Sequence, residues 1–281
     1  MKAFISDIHG NYEALQAVFK DIEEHNVNTI ICLGDIVGYG PQPVECTDRI
    51  MKDADLTILG NHDHALLNEP LGFNRIAAQA IEFTKKIMSC EEADQDPELR
   101  DKVSLHCLEH CNSEKPRCFD MENTCAEHWE FLGGLEKSRR DNGLLYVHGS
   151  PLDPTFEYML PDIFPGFDPN RVELMLTEVD RLCFCGHTHF PCAVDSNKTF
   201  YYPQRSGNTL TLEHNRKYII NIGSVGQPRD RDIRASYLLL DEDKMTVEWR
   251  RISYDIDAVV EKIKNMCGLD NWCGERLRYG K

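Results

Sequence analysis

The chain is poor in positive charge and contains no long apolar run. Only 31 Lys and Arg residues stand against 47 Asp and Glu residues, a formal net charge of −16. This balance argues against the broad basic face with which proteins hold nucleic acids. No run of roughly 18 apolar residues occurs, so no membrane-spanning helix is predicted. Charge appears within the first seven residues, which argues against a signal peptide. We therefore expect a cytoplasmic protein without a membrane or a nucleic acid as a stable partner.

Cysteine is abundant, although nothing at the start of the chain indicates export. Without an export signal, twelve cysteines favour free thiols in a reducing compartment over a disulfide framework. With 281 residues, 41% of them hydrophobic, the chain is long enough to bury a large core. We predict one domain over residues 1–281. A homo-oligomer is compatible with the sequence.

Short apolar runs recur along the chain, and each ends in a polar cluster. They span residues 3–6, 29–33, 56–59, 144–147, 182–185 and 218–222. Runs of four or five apolar residues are typical of strands buried on both faces. Between the first two runs, Leu15, Val18, Phe19 and Ile22 have helical spacing. Strand, helix and strand in this order predict a parallel crossover and an α/β fold.

The later part of the chain changes character. Residues 199–203 and 209–214 flank Gly207-Asn208 and predict a hairpin, and residues 236–240 and 245–253 predict another. The pattern favours a second sheet or an antiparallel extension of the first. Ile256, Val259, Val260 and Ile263 then mark an amphipathic helix near the end of the chain.

The polar residues that follow the strands share one chemistry. Most of them are Asp or His, common ligands of divalent transition metals: Asp7, His9, Asp35, Asn61, His62, His148, His187 and His189. Any one of them alone could be a turn or capping residue. The same chemistry at successive strand ends instead indicates a metal site. The number of ligands suits two ions that share a carboxylate, an arrangement used in phosphoester hydrolysis.

These motifs together resemble those of a known family. Asp7-Ile8-His9-Gly10-Asn11, Gly34-Asp35, Gly60-Asn61-His62-Asp63, His148-Gly149 and Gly186-His187-Thr188-His189 resemble, in order, the five motifs of the calcineurin-like metallophosphoesterases. The flanking residues 34–41 and 221–229 are similar to those of the YfcE-like branch of small prokaryotic phosphoesterases. The resemblance runs to about Asp243 and omits an acidic insertion. It implies a four-layer α-β-β-α sandwich with a two-metal site at the edge of its sheets.

The resemblance also implies a role for each matching residue. One divalent ion would be held by Asp7, His9 and His189, and the other by Asn61, His148 and His187. Asp35 would bridge the two ions, for which manganese, iron, zinc and nickel are the candidates. The implied reaction is hydrolysis of a small phosphodiester or phosphomonoester by in-line attack of a hydroxide that bridges the metals.

Four further residues are expected on the substrate side of this site. His62, held by Asp63, would face the substrate phosphate and donate to a phosphoryl oxygen or protonate the leaving group. Asn74 and Arg229 are candidate substrate-binding groups. A helix cap for Asn74 and a surface salt bridge for Arg229 are equally good interpretations.

Several other functions are compatible with parts of this pattern. Protein Ser/Thr phosphatases carry Asp-Arg-Gly after the second motif and Glu in the third, whereas this chain has Gly38-Tyr39-Gly40 and Asp63. The net charge disfavours a nuclease. Hydrolysis of dinucleoside polyphosphates stays open. A metal-free or metal-binding scaffold on the same fold is the alternative of a different class, although no ligand is missing.

Residues 88–130 stand apart as an acidic, cysteine-rich insertion. They include twelve acidic and four basic residues and have weak apolar periodicity. Cys107, Cys111, Cys118 and Cys125 could hold an extra zinc ion, with His106, His110 or His128 as substitutes. The spacing lacks the tight pairs of zinc ribbons, so free thiols or disulfides are the alternatives. We expect the insertion to form a lid or wall that limits the pocket to small substrates.

Overall fold

The computed structural model describes residues 1–70, 72–88 and 121–281, with side chains of the last range described from Glu127. Twelve strands, β1 to β12, are seen in these ranges: Lys2–Ile5, Thr29–Cys32, Leu56–Thr57, Ser138–Asp141, Leu144–Val147, Leu182–Cys185, Cys192–Asp195, Phe200–Tyr201, Thr209–Thr211, Tyr218–Asn221, Ala235–Asp241 and Thr246–Ile252. The α-helices, α1 to α9, are Tyr12–Glu23, Pro43–Asp53, Asn61–Leu67, Arg75–Met88, Met121–Gly133, Pro169–Thr177, Pro203–Ser206, Ile256–Asn265 and Trp272–Glu275, and a 3-10 helix Arg276–Tyr279 follows.

The strands form two six-stranded sheets. The first has the order β3-β2-β1-β11-β12-β9, and the second has the order β4-β5-β6-β10-β7-β8. Strands β1, β2 and β3 are parallel, and so are β5, β6 and β10. All six apolar runs found in the sequence lie in these two parallel groups. Their carboxyl ends meet at one edge, which is where ligands bind in α/β folds.

Apolar side chains fill the space between the two sheets. The Phe4 and Phe184 rings, one from each sheet, stack with their centres 4.0 Å apart. Trp249 is buried in the same layer and donates its indole N–H to the Asn221 carbonyl at 2.9 Å. This layer holds the sheets face to face, so the loops at their common edge also face one another.

Helices cover the outer faces of both sheets. Helices α1 and α2 bury Leu15, Val18 and Ile50 against the first sheet. Helix α6 buries Val172 and Met175 against the second. The expected four-layer α-β-β-α sandwich is therefore confirmed. In the described ranges, no helix combines the length and the apolar character needed to cross a membrane.

One of the two predicted hairpins is wrong. Strands β11 and β12 do pair as an antiparallel hairpin, as the sequence predicts. In contrast, β8 pairs with β7 in the second sheet, whereas β9 pairs with β12 in the first. Pro203 begins the short helix α7, and Gly207 ends it in the left-handed conformation. This connection carries the chain from one sheet to the other, so Gly207-Asn208 is a helix end and not a hairpin turn.

The two ends of the acidic insertion meet at the outer surface of the first sheet. The Trp129 indole donates to the Met88 carbonyl at 3.0 Å, and Leu132 is fully buried beside α2. Helix α4 runs from Arg75 to Met88 and is about 20 Å long at a rise of 1.5 Å per residue. The insertion therefore begins about 20 Å along the chain from the start of this helix. His128 pairs with Asp48 at 2.6 Å. The cysteine side chains of the proposed zinc site lie outside the described residues, and the lid stays a prediction.

The buried indole of Trp249 generates a stability prediction. Trp249→Phe removes the hydrogen bond to the Asn221 carbonyl and leaves a small cavity between the sheets. We expect the free energy of unfolding to fall by about 1–3 kcal/mol in urea denaturation. Trp272→Phe is the matched control, since Trp272 is 43% exposed and its replacement should cost less than about 0.5 kcal/mol. Equal losses in both variants would contradict this account of the intersheet layer.

Candidate metal centre

Five of the proposed metal ligands have left-handed backbone conformations. Asp7, His9, Asp35, His187 and His189 have φ between 50° and 65°. Residues other than glycine rarely adopt this conformation, and each instance costs on the order of 1–3 kcal/mol. The conformation turns the chain sharply where each strand ends. Side chains two positions apart therefore both point into the space between the sheet edges, as their spacing predicted.

The first group of ligands comprises Asp7, His9 and His189. One ligand atom from each lies within 4.8 Å of the other two. The Nε2 atoms of His9 and His189 are 3.2 Å apart, and His189 Nε2 lies 3.2 Å from Asp7 Oδ1. All three side chains are buried.

The second group comprises Asp35, His148 and His187, with Asn61 beside them. His148 Nε2 lies 3.0 Å from Asn61 Oδ1 and 3.2 Å from His187 Nδ1. The ligand atoms of Asp35, His148 and His187 lie within 4.8 Å of one another. The structure thus brings together all seven residues expected to bind metal.

Asp35 lies between the two groups. Its Oδ2 atom is 3.6 Å from His9 Nε2 and 3.4 Å from His148 Nε2. Its other oxygen, Oδ1, accepts from the His62 backbone N–H at 2.8 Å. The same carboxylate oxygen therefore faces both groups, as a bridging ligand must.

The hydrogen bonds of the imidazole rings show whether this cluster fits metal ions. The Nδ1 atoms of His9, His148 and His189 each donate to a backbone carbonyl, at 3.0, 2.8 and 2.6 Å. His187 instead donates from Nε2 to the Phe156 carbonyl at 3.1 Å. Because a neutral imidazole carries one proton, each ring presents a bare nitrogen to the cluster. Bare nitrogens and carboxylate oxygens that face one another repel unless a cation lies between them, so the donor set fits two divalent ions.

The protonation equilibria of the cluster agree with this fit. Burial lowers the pKa of His187 to about 3 and that of His189 below its ordinary value. Burial raises the pKa of Asp7, but His189 outweighs burial and the net pKa is low. Burial likewise lowers the pKa of His148, but the Asp35 carboxylate outweighs it and raises the pKa to about 9. Without a bound cation, His148 therefore carries a second proton on the nitrogen that faces Asp35, and a divalent cation there would replace that proton.

Gly186 lets the two sheets approach each other at the metal centre. A Cβ atom at this position would lie 2.2 Å from Ser6 Oγ and 2.5 Å from Asp7 Oδ2. The next residue, His187, donates its backbone N–H to the Asp7 carboxylate at 3.1 Å. The glycine of the Gly-His-Thr-His motif is therefore required by the close contact between the sheets.

His62 lies at the border of the first group. One of its ring nitrogens is within 4.8 Å of both a His9 nitrogen and an Asp35 oxygen. Its Nδ1 atom is buried without a hydrogen-bond partner among the described residues, against Gly38. Burial lowers the pKa of His62 to about 4. With no acceptor at Nδ1, the neutral ring favours the tautomer that carries its proton on Nε2.

The expectation that Asp63 holds His62 is wrong. Asp63 is fully buried, and its two oxygens accept from the backbone N–H groups of Asp35, Ile36, Val37 and Gly60 at 2.8–3.3 Å. Burial and the nearby Asp35 carboxylate raise the pKa of Asp63 to about 7. Because these four donors use both oxygens, Asp63 orients the loop that carries the bridging Asp35 and not the His62 ring.

The two candidate substrate-binding residues differ in their surroundings. Asn74 Oδ1 accepts from the Ala77 backbone N–H at 3.0 Å, so Asn74 caps helix α4. Arg229 donates to the Gln227 side chain at 2.7 Å and lies near His189. Arg229 has no ion pair with a carboxylate among the described residues, so the salt-bridge interpretation is not supported there.

Three residues near the centre were not singled out in the sequence. The Tyr39 ring packs against the rings of His9 and His62 at 4.9 and 4.7 Å. The Tyr158 ring stacks on His187 at 4.0 Å on the other side. Arg276 comes from the 3-10 helix near the end of the chain and lies 5.9 Å from the Tyr39 ring centre. Tyr39 could have been found from its place in Gly38-Tyr39-Gly40, but nothing local marks the other two.

Comparisons with known proteins agree with this architecture. A family model described as calcineurin-like phosphoesterase matches residues 3–191. An uncharacterised protein of Methanocaldococcus jannaschii is 35% identical over an alignment of 291 residues, which covers 100% of this chain and 98% of that protein. The crystal structure of a metallophosphoesterase from Sphaerobacter thermophilus has a TM-score of 0.76 and 30% identity, covering 100% of this chain and 98% of that one. A symmetrical bis(5′-nucleosyl)-tetraphosphatase of Actinobacillus pleuropneumoniae is 36% identical over 76 residues, 26% of this chain and 28% of that protein.

Two facing sheets that bring carboxylates and imidazoles together at their common edge place this chain among α/β proteins with a candidate metal centre. The chain belongs to the calcineurin-like phosphoesterase family. The predicted family is therefore confirmed, and membership supports a phosphoester hydrolase.

The contacts of Asp63 generate a prediction that separates its two roles. In wild type, backbone N–H groups donate to both carboxylate oxygens of Asp63. In Asp63→Asn, an NH₂ group replaces one of these oxygens, so it would face N–H donors and could not accept from them. We expect the free energy of unfolding to fall by about 1–3 kcal/mol and divalent metal to bind more weakly. Urea denaturation and metal titration measure these effects. Asp168→Asn is the control, because Asp168 caps the exposed start of α6 and asparagine caps equally well. A slower reaction with unchanged stability and metal affinity would support the original role.

Proposed function

We propose that the protein is a metal-dependent hydrolase of small phosphodiesters or phosphomonoesters that uses two divalent cations. The ligands would be Asp7, His9 and His189 for one cation and Asn61, His148 and His187 for the other, with Asp35 shared. The observation that carries the proposal is the arrangement of four imidazoles about Asp35. His9 and His148 lie 3.6 and 3.4 Å from its Oδ2 atom, and His189 and His187 each lie 3.2 Å beyond one of them. When bound, divalent cations polarise a phosphoryl oxygen and favour ionisation of water near neutral pH.

The residues of the chain would orient the substrate and stabilise charge. Asp35 is held by the His62 backbone N–H and by the loop that Asp63 orients, so its position does not depend on the substrate. His62 would donate from Nε2 to a phosphoryl oxygen as negative charge increases there. A positioned donor of this kind contributes mainly by electrostatic stabilisation.

The surroundings of the second group favour an aromatic substituent on the substrate. The Tyr158 ring stacks on His187 and is 46% exposed. An exposed ring next to the reacting phosphate offers a surface for an aryl group or a nucleobase. Aryl phosphodiesters are therefore the first substrates to assay, followed by monoesters.

Hydrolysis of dinucleoside polyphosphates is a second candidate. The local similarity to symmetrical bis(5′-nucleosyl)-tetraphosphatases supports it, and the Tyr158 ring could stack on an adenine. A panel that includes diadenosine tetraphosphate and an aryl phosphodiester, each assayed with manganese, zinc, nickel and iron(II), distinguishes the two candidates.

A reducing compartment, such as the cytoplasm, remains the proposed location. Among the described residues, seven cysteines are free thiols, and all but Cys267 are buried. Burial raises the pKa of Cys185 and of Cys192, which keeps these thiols protonated and unreactive.

The proposal predicts that activity depends on metal and on Asp35. Chelation should abolish turnover of an aryl phosphodiester, and re-addition of at least one kind of divalent metal should restore it. Asp35→Asn should lose metal, as measured by elemental analysis, and lower the rate by more than about a hundredfold. Asp48→Asn, a substitution of the same kind at a 56%-exposed carboxylate of α2, should do neither. A purified chain without metal that no metal activates would favour the scaffold alternative.

His62 should affect the rate without affecting metal content. His62→Ala removes a donor at the border of the first group but none of the proposed ligands, so we expect kcat to fall by about a hundredfold with the metals retained. His64→Ala, on the same helix with its ring against Phe156, should change kcat by less than about threefold. Loss of metal from the His62 variant would show instead that His62 is a ligand.

A further inference from the structure

Two arginines beside the metal centre lack a side-chain carboxylate partner among the described residues. The guanidinium carbons of Arg229 and Arg276 each lie 5.9 Å from the centre of the Tyr39 ring. Arg229 donates to the Gln227 amide oxygen, and Arg276 donates from Nε to the main-chain oxygen of Lys281. Their remaining N–H groups have no acceptor among the residues that the structure describes.

The two positive charges are partly shielded from water and repel each other. Both side chains are half-buried. Burial, and after it the charge of Arg229, lowers the pKa of Arg276 to about 10. Arranging two such charges together costs free energy unless an anion lies between or beside them. In a chain with a net charge of −16, a local excess of positive charge also requires an explanation.

Arg276 lines an open cleft of about 390 Å³, and Arg229 lies 5.9 Å from the ring centre of Tyr39, which lines the same cleft. The described residues of its wall include no acidic side chain: they are Tyr39, Asn74, Arg75, Ile76, Trp272 and Arg276. The nearby Asp270 pairs with Arg75 at 3.1 Å and so does not neutralise Arg276. The volume lies in the range of small-molecule sites. Since Tyr39 packs on His9 and His62, one side chain separates the cleft from the metal centre.

The contacts of residues 273–280 determine the position of Arg276. Cys273 and Leu277 pack in one apolar cluster with Val259 and Ile263 of helix α8. The Arg231 backbone N–H donates to the Gly280 carbonyl at 2.9 Å, which ties this segment to the loop that follows Arg229. The two arginines therefore come from segments that are hydrogen-bonded to each other.

We propose that this cleft is a subsite for a second anionic group of the substrate, held by Arg229 and Arg276 while the reacting phosphate lies at the metal centre. The inference rests on the proposed phosphoesterase function and narrows its substrates to small molecules with two phosphate groups. These groups can belong to one polyphosphate chain or to two positions of one molecule.

Binding of paired ligands to the full-length protein, as purified, tests the subsite without requiring turnover. Calorimetry compares pyrophosphate with inorganic phosphate, and adenosine 3′,5′-bisphosphate with AMP. Both members of a pair offer a phosphate to the metal centre, so the ratio of their dissociation constants reports on the second phosphate. We expect the wild type to prefer the doubly phosphorylated member of at least one pair by about tenfold or more. The pair that shows the preference identifies a polyphosphate or a bisphosphate substrate.

Variants in one short helix supply the decisive comparison. Arg276→Gln should reduce the preference by about tenfold, and Arg276→Lys should restore part of it. Arg278→Gln is the matched control. Arg278 lies two residues after Arg276 in the same 3-10 helix, and it forms an ion pair with Asp257. The Arg278→Gln variant should keep the wild-type ratio, and unfolding temperatures confirm that each variant folds.

The outcomes separate this proposal from the proposed function. No preference in the wild type, or an unchanged ratio in Arg276→Gln, overturns the subsite even if the protein hydrolyses phosphoesters. A preference that disappears in Arg276→Gln but not in Arg278→Gln supports the subsite even if no hydrolysis is found, and in that case only the phosphoesterase proposal fails.

Discussion

The rest of the site depends on one buried carboxylate that is shared by two sets of imidazoles. Asp35 Oδ2 faces His9 from the first sheet and His148 from the second at 3.6 and 3.4 Å. A carboxylate without exposure to water requires compensating positive charge or hydrogen bonds. Among the described residues, the Asp35 carboxylate accepts one hydrogen bond, at Oδ1, so Oδ2 is left to face a cation. The ring orientations, the loop conformations and the close approach of the sheets all keep the imidazoles directed at Asp35.

The cost of this arrangement is distributed over the surrounding backbone. Left-handed conformations at ligand positions are unfavourable, and they persist because neighbouring hydrogen bonds determine the backbone closely. The backbone N–H groups of Ile8 and His9 both donate to the Asp35 carbonyl, and Asp63 accepts from the loop that follows Asp35. Asp63 thus helps to position the proposed metal ligand Asp35, although it lies next to His62, which is expected to contact the substrate.

Much of the site could be predicted from the sequence because its ligands follow buried strands. A strand of four apolar residues with a polar cluster after it is a local signal, and parallel strands bring such clusters to one edge. The partner of Asp63 could not be predicted, since adjacency along the chain does not reveal that both oxygens bind backbone 26–28 residues away. Arg276 follows His189 by more than eighty residues and reaches the centre only through the packing of Leu277. The sequence does not distinguish the helix end at Gly207 from a hairpin turn, because glycine and asparagine are favoured in both, so it does not reveal that the chain changes sheets there.

The ring hydrogen bonds of His148 have a consequence for folding as well as for chemistry. His148 follows a strand of the second sheet, yet its Nδ1 proton is held by the Leu33 carbonyl, which follows a strand of the first. A cation on the opposite nitrogen strengthens that proton as a donor, and therefore strengthens a contact between the sheets. Ligand binding and native stability are thermodynamically linked through such a contact. Cation binding at the centre would then increase the free energy needed to separate the two sheets at this edge.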